Sequence, residues 1–425
     1  MTGLGLVCPL GNSVPAALAS ARRGERAIRE YTSPWSPPEL GRRVGGTVED
    51  FDAEGLLEPR FAAKQEPATL FALAAAREAL AQAGLDRDAD VDRDRLGCVI
   101  GAGLAGAELW HRALHTAYGE GRPDGIARMA AISITGTAVT GLVSIRHQLR
   151  GPSLGVANAC ASGTSAILAA ADQIRLGRAD AMLAGGCESS MRGLLSYASF
   201  VDAGMNPTRD PAFACTPFSA NRRGFVLAEG AGMLVLERLD HARARGARVL
   251  AILAGGALGN DAYHVISPDP TGAAWARVIR LALADAGVHP HEVDVVSAHA
   301  TATPQGDVAE TRAIRSVLGA HADRVLVSAT KSMHGHAFGA AGAIETALAL
   351  AAMQDDVVLP TIDLATPDPE CDLDYVATGA RKKSIRVLVK NGFGAGGVSS
   401  ALVFRRDEPS RVLREPSCFE DQFAF

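Results

Sequence analysis

One order of elements occurs twice along this chain: strand, helix, strand, helix, strand, helix, strand, strand. In the first half, short apolar runs bounded by Gly or Pro read as strands at Met1–Val7, Leu96–Gly101, Ser153–Ala157, Ala181–Gly185 and Gly232–Leu239. Thr69–Gly84, Ile134–Leu149 and Thr164–Leu176 carry apolar residues at helical spacing. A further helix is expected after Leu96–Gly101. The second half restarts at Val249–Ala254. Strands follow at Val293–Ala298, Val325–Ser328, Ile385–Val389 and Ala401–Phe404, and helices at Ala273–Ala286, Val308–Leu318 and Gly339–Met353. Such alternation predicts an α/β fold with mostly parallel strands and right-handed crossovers. At 425 residues the chain exceeds the roughly 250–300 at which one core stops growing. Two pseudo-duplicated halves, 1–245 and 246–406, are therefore expected to pack as a five-layer α/β/α/β/α sandwich. Residues 19–67 and 189–229 read as irregular, and the tail 407–425 has no assignment.

The first chemically suggestive stretch is Ala157-Asn158-Ala159-Cys160-Ala161-Ser162-Gly163. Ser153–Ala157 reads as a buried strand, and the next helix starts at Thr164. That turn places Cys160 beside a helix N-terminus, where unpaired N–H groups and the macrodipole favour negative charge. A thiol there is expected to lose its proton more easily, and the thiolate is the nucleophile. Against this stands the ordinary reading of a free cysteine as a small buried apolar residue.

Composition removes several classes of function. A net charge of −5 offers no basic footprint for nucleic acid. The most apolar helix, Phe338–Met353, is interrupted by Glu345 and too short to span a bilayer, and no signal peptide opens the chain. Seven scattered cysteines without a CxxC pair predict reduced thiols in a cytoplasmic protein.

Three further stretches follow strands of the second half. They are His299-Ala300-Thr301-Ala302-Thr303-Pro304-Gln305-Gly306-Asp307, then Lys331-Ser332-Met333-His334-Gly335-His336 running into Gly339–Glu345, then Asn391-Gly392-Phe393-Gly394-Ala395-Gly396-Gly397. Strand-to-helix turns are where α/β folds place active sites. Glycine in the last stretch exposes backbone N–H groups of the kind that hold an oxyanion. Lys331 and Glu345, if buried, must be paired. Blander alternatives exist. His334 and His336 could be a metal pair, but no third ligand completes it. Gly101-Ala102-Gly103-Leu104-Ala105-Gly106 matches GxGxxG, but no strand ending in an acid follows about 20 residues on. Asp368–Asp374 reads as a solvated acidic loop.

Over about residues 1–405 these motifs, with Arg223-Gly224-Phe225-Val226, Glu229-Gly230-Ala231-Gly232 and Asp261-Ala262-Tyr263-His264, resemble the elongating β-ketoacyl-ACP synthases of thiolase-like fold. That group includes β-ketoacyl-ACP synthase II and the ketosynthases of type II polyketide systems. The resemblance implies decarboxylative condensation of a Cys160-bound acyl chain with malonyl-ACP to give 3-oxoacyl-ACP. His299 and His336 would assist decarboxylation, and Lys331 and Glu345 would support the site. The Cys160 and Phe393 N–H groups would hold the oxyanion, Phe393 would gate the pocket, and Leu104, Thr301, Thr303 and Gly394 would belong to the substrate pocket. No cofactor is implied beyond the phosphopantetheine arm of the acyl carrier protein. That protein is the expected partner, together with a second subunit: either an identical one or a chain-length-factor-like paralogue, joined through the Cys160 strand. Ser219 and Arg223 stand where such enzymes carry aspartates, Ala395 replaces an aromatic, and Val398-Ser399 replaces Thr-Asn. These departures point to a specialised polyketide or polyene pathway. Housekeeping fatty-acid elongation is the alternative, and a silent chain-length subunit is a third reading, disfavoured by the presence of Cys160.

Overall fold

The computed structural model describes residues 1–32, 35, 43–86, 89–104, 106–127 and 130–407. The tail expected at 407–425 lies, apart from Asp407, outside the described residues. Ten strands build two five-stranded sheets. The first holds β1 (Gly3–Val7), β2 (Leu96–Gly101), β3 (Ser153–Val156), β4 (Ala181–Glu188) and β5 (Gly230–Glu237) in the spatial order β1-β5-β4-β2-β3. The second holds β6 (Ile252–Asn260), β7 (Val295–Ser297), β8 (Leu326–Ser328), β9 (Val387–Phe393) and β10 (Val398–Arg405) in the order β6-β10-β9-β7-β8. The two orders are the same order, so the repeat read from the sequence is a repeat of topology. In each sheet the last strand runs antiparallel to both neighbours, while the other pairings are parallel.

Six helices complete the layers. α1 (Pro67–Ala83) and α2 (Gly136–His147) cover the outer face of the first sheet, with Leu73, Leu80 and Val143 packed on Ile100, Leu183 and Met233. α4 (Ala273–Asp285) and α5 (Pro304–Leu318) cover the second, with Val278, Ile279 and Ile314 on Val389 and Val403. α3 (Ser162–Arg175) and α6 (Phe338–Gln354) lie between the sheets, where Ile167, Ile344 and Leu348 share one core with Leu234 and Leu402. α6 is apolar on all sides because all its sides are covered. Glu345 is its single charge.

Several local expectations fail for identifiable reasons. Val14–Arg23 is a helix that runs into the start of the stretch read as irregular. Ser13 caps it through Ala16 N–H, and Gly24 closes it in the left-handed conformation. Leu194–Asp202 is a helix in the stretch read as irregular; the prolines that suggested a loop all lie after it. Lys331–His334 is one short helical turn, and Asn391-Gly392-Phe393 ends strand β9 instead of lying in a loop. β3 is not buried: Ser153, Leu154 and Gly155 are exposed because β3 is the outer edge of its sheet.

Candidate active site

Cys160 sits on a one-turn 3₁₀ segment, Ala159–Ala161, that runs directly into α3. Ala159 adopts φ +46°, a strained value for a residue with a side chain. The GxGxxG stretch is explained here by packing: a Cβ on Gly101 would lie 2.4 Å from the Ser162 carbonyl oxygen. Gly394 approaches from the β9–β10 turn, where a Cβ would meet Cys160 N at 3.2 Å and Ala161 N at 3.3 Å. The expected acidification of the thiol does not hold in this resting site. Burial pushes Cys160 up to about 12, against the pull of Lys331 and the Ala395 N–H.

His299 ends the segment after β7, and its loop contains two alanines at positive φ, Ala300 (+32°) and Ala302 (+61°). Two carboxylates of α5 hold this strained backbone. Glu310 accepts His299 N–H at 2.8 Å and Ala300 N–H at 2.7 Å, and Asp307 accepts Ala302 N–H at 3.1 Å. Asp307 also accepts Phe218 N–H, and its burial raises its carboxyl to about 7. The result aims Thr301 and Thr303 at the cavity, their hydroxyls 3.1 Å apart. Asn391 Nδ2 donates to Glu310 at 2.9 Å and so joins β9 to the same carboxylate.

His336 lies between β8 and α6. Its backbone N–H donates to Val226 carbonyl at 2.7 Å. Neither ring nitrogen has a protein partner, although the ring is buried. The His299 and His336 rings meet edge to face with centroids 5.4 Å apart. Burial first, then the nearby Lys331, lowers both imidazoles well below their ordinary range. Both are therefore neutral at physiological pH. His334 faces away from the cavity and bonds Thr330 through Nε2 at 3.1 Å. Among the described residues no cluster of His, Cys, Asp or Glu suits a metal ion.

Behind the histidines, Glu345 lies between two ammonium groups, Lys331 Nζ at 2.5 Å and Lys390 Nζ at 2.5 Å, all three buried. Lys331 also donates to the His299 carbonyl. Burial pushes the Glu345 carboxyl up, but the two lysines together hold it below its ordinary value. Burial lowers the Lys390 ammonium, with Glu345 opposing. Lys390, Glu310 and Asp307 carry as much of this frame as the residues singled out from the sequence.

Cys160, His299 and His336 line one cavity of about 340 Å³ together with Thr301, Thr303, Phe393 and Gly394. Phe393 is fixed by stacking on Trp275 at 4.0 Å. Lys331 and Glu345 stand behind the wall. Leu104 does not line this cavity. It is 43% exposed on the loop after β2, and it reaches the site only through its backbone N–H, which donates to Glu188 at 3.3 Å. The same Glu188 oxygen accepts Gly103 N–H at 2.9 Å and Gly339 N–H at 3.2 Å, so the loop is tied to the start of α6.

The sequence profile described as "Beta-ketoacyl synthase, N-terminal domain" matches residues 1–242, and "Beta-ketoacyl synthase, C-terminal domain" matches residues 250–365. The 3-oxoacyl-[acyl-carrier-protein] synthase 2 of Staphylococcus aureus is 36% identical over 408 residues, covering 96% of this chain and 98% of that protein. The protein of the same name from a Synechocystis species is 38% identical over 408 residues, covering 96% and 97%. Among solved structures, a type II polyketide acyl-carrier protein in complex with its ketosynthase bound to the hexaketide aligns with a TM-score of 0.87 at 34% identity, covering 96% and 98%. The ishigamide ketosynthase/chain length factor aligns at 0.85 and 31%, with the same coverage.

Proposed function

The chain belongs to the β-ketoacyl synthase family, and from that premise we propose how its residues divide the work. The reaction is the decarboxylative condensation of an acyl thioester with malonyl-ACP to give 3-oxoacyl-ACP. Cys160 sulfur attacks the carbonyl of the incoming acyl-ACP, and the pantetheine thiol leaves with the proton. Malonyl-ACP then enters, and loss of CO₂ leaves an enolate whose oxygen is held by the N–H groups of neutral His299 and His336. The enolate carbon attacks the Cys160 thioester, the carbon–sulfur bond breaks, the expelled Cys160 thiolate takes a proton from solvent, and the chain, two carbons longer, departs on the carrier. The Cys160 and Phe393 N–H groups hold the oxyanion of each tetrahedral intermediate, a role that donors fixed before reaction perform best. The chemistry needs no metal or redox cofactor; the carrier's phosphopantetheine supplies the thiol. The halves 1–245 and 246–406 contribute the nucleophile and the histidines respectively.

The observation that carries this reading is the convergence on one cavity of a thiol and two uncharged imidazoles, of which His336 has both ring nitrogens unpartnered. His299→Ala and His336→Ala are expected to keep accepting acyl groups at Cys160 and to lose condensation with malonyl-ACP by at least about 10²-fold. Intact-mass measurement after each step separates the two activities. Full condensation in either variant removes that histidine from the mechanism.

A specialised pathway is the reading supported by Ala395 in the turn beside Cys160 and by Val398-Ser399 at the start of β10, with fatty-acid elongation as the alternative. Both place the enzyme with its carrier protein in the cytoplasm. Among the described residues no helix is long and apolar enough to cross a membrane. The open edge of β3 supports pairing with a second subunit, either a copy of this chain or a paralogue. The sequence between β2 and α2 adds exposed Leu104, Trp110, Leu114 and Ile132. Such an edge invites strand addition. The chain alone is expected to scatter light as a dimer at micromolar concentration, and Leu154→Arg to be monomeric. A monomeric wild type that co-purifies with a Cys-lacking paralogue would select the second form.

A further inference from the structure

Aromatic residues make up only 5% of this chain, yet Phe200, Phe225, Phe338, Phe393 and Trp275 line the one cavity that contains Cys160. Their arrangement is specific. Phe338 stacks on His336 at 4.8 Å and 18°, and Phe200 packs on Phe338 at 4.2 Å and 35°. Phe225 stands perpendicular to both, at 83° to Phe338 and 82° to Phe200. On the other side Trp275 and Phe393 are stacked at 6°. Cys160 packs in the same apolar cluster as Phe225 and Phe338. The rest of the interior is built mainly from Ala, Val, Leu and Ile. Phe338 is placed at some cost: its φ is +39°, which a bulky residue rarely adopts. Glu188 holds the next residue's N–H.

We propose that this aromatic slot selects acyl chains carrying a conjugated, flat polyene segment over saturated chains of the same length. The inference rests on the condensing activity described above and names its substrate class. Two physical effects act in the same direction. Ring faces and ring edges pair with a π-system in offset or edge-to-face geometry, which a saturated chain cannot match. A conjugated segment is also already extended and rigid, so it loses less rotational freedom on entering the slot than a saturated chain with free torsions.

The test compares octanoyl-carrier protein with 4,6-octadienoyl-carrier protein. The diene is separated from the thioester, so the two carbonyls have equal intrinsic reactivity. The readout is the rate of Cys160 acylation at limiting substrate, followed by intact mass. A preference of about tenfold for the dienoyl chain is expected, the factor to which 1.4 kcal/mol corresponds. In Phe200→Leu and Phe338→Leu the ratio should fall toward unity, whatever happens to the absolute rates, and Phe338→Tyr should restore it. Equal wild-type rates for the two chains, or a ratio unmoved by both Leu variants, would overturn the inference and leave the condensing activity standing. Failure of both chains to load on Cys160 would overturn both.

Discussion

Cys160→Ala should lose acyl transfer from acyl-ACP by at least about 10⁴-fold, because no other group on the cavity wall can form the thioester. The fold should survive. The substitution removes one atom facing a cavity and leaves the 3₁₀ turn, the Ala159 backbone and the packing of α3 unchanged, so a stability change of about 1 kcal/mol or less is expected. Intact-protein mass spectrometry is the measurement. An acyl adduct on the variant, or an adduct on Cys187 or Cys215 in the wild type, would dismiss the assignment. The same thiol gives a pH signature. With the sulfur pushed up to about 12, the thiolate fraction rises tenfold per pH unit at all lower pH values. Alkylation of Cys160 by iodoacetamide should therefore climb from pH 6 to 9 without levelling. A plateau in that range would mean that a thiolate is already stabilised in the resting enzyme.

The repeat of topology could be read from the sequence because it rests on local signals: short apolar runs, helical spacing, and stops such as Gly84, which closes α1 in the left-handed conformation. The placement of Cys160 and His299 at strand-to-helix turns follows from that frame, and His336 from its counterpart after β8. What could not be read depends on burial and on partners distant in sequence. The direction of the Cys160 shift is one case. A helix N-terminus is visible locally, whereas the depth of burial that outweighs it is a property of two sheets closing over α3 and α6. Leu104 is another. Its position after β2 was correct, but only the packed structure puts its side chain outside the cavity and leaves Glu188 to connect its backbone to α6.

The missed charges left faint marks. Lys390 interrupts Val387-Leu388-Val389 in a strand that is buried throughout, and a charge in such a run needs a partner. Asp307 and Glu310 are three residues apart on α5, hence on one helical face, and they follow a loop whose alanines must take left-handed backbone. Neither mark identifies a partner without the fold.

Those charges give the second large effect. Glu345 is the only carboxylate bonded to Lys331 and Lys390 among the described residues, and all three side chains are at most 2% exposed. Removing one member of a buried pair costs about 3–5 kcal/mol, because the other is left charged and uncompensated. Here Glu345→Gln leaves two ammonium groups. Lys390 retains carbonyl acceptors, Asn391 O at 2.6 Å and Ala298 O at 3.2 Å, and its already lowered affinity for the proton lets it shed charge. That relief keeps the expected loss near the lower end, about 3 kcal/mol at pH 7, measured as a shift in the urea midpoint. Condensation should fall with it, since Lys331 holds the carbonyl of His299. In acid the sign with pH is fixed by Glu345 itself. Its folded-state pKa lies below the unfolded value, so its contribution is complete above about pH 5 and is lost as pH falls through the folded value. The gap between wild type and Glu345→Gln should be smallest at pH 8 and widen toward pH 5, as the proton that Lys390 sheds in the variant becomes harder to lose. It should narrow only in stronger acid, as Glu345 of the wild type is protonated. A variant within about 1 kcal/mol of wild type at pH 7 would show that the lysines discharge freely, and that the triad is not what fixes His299.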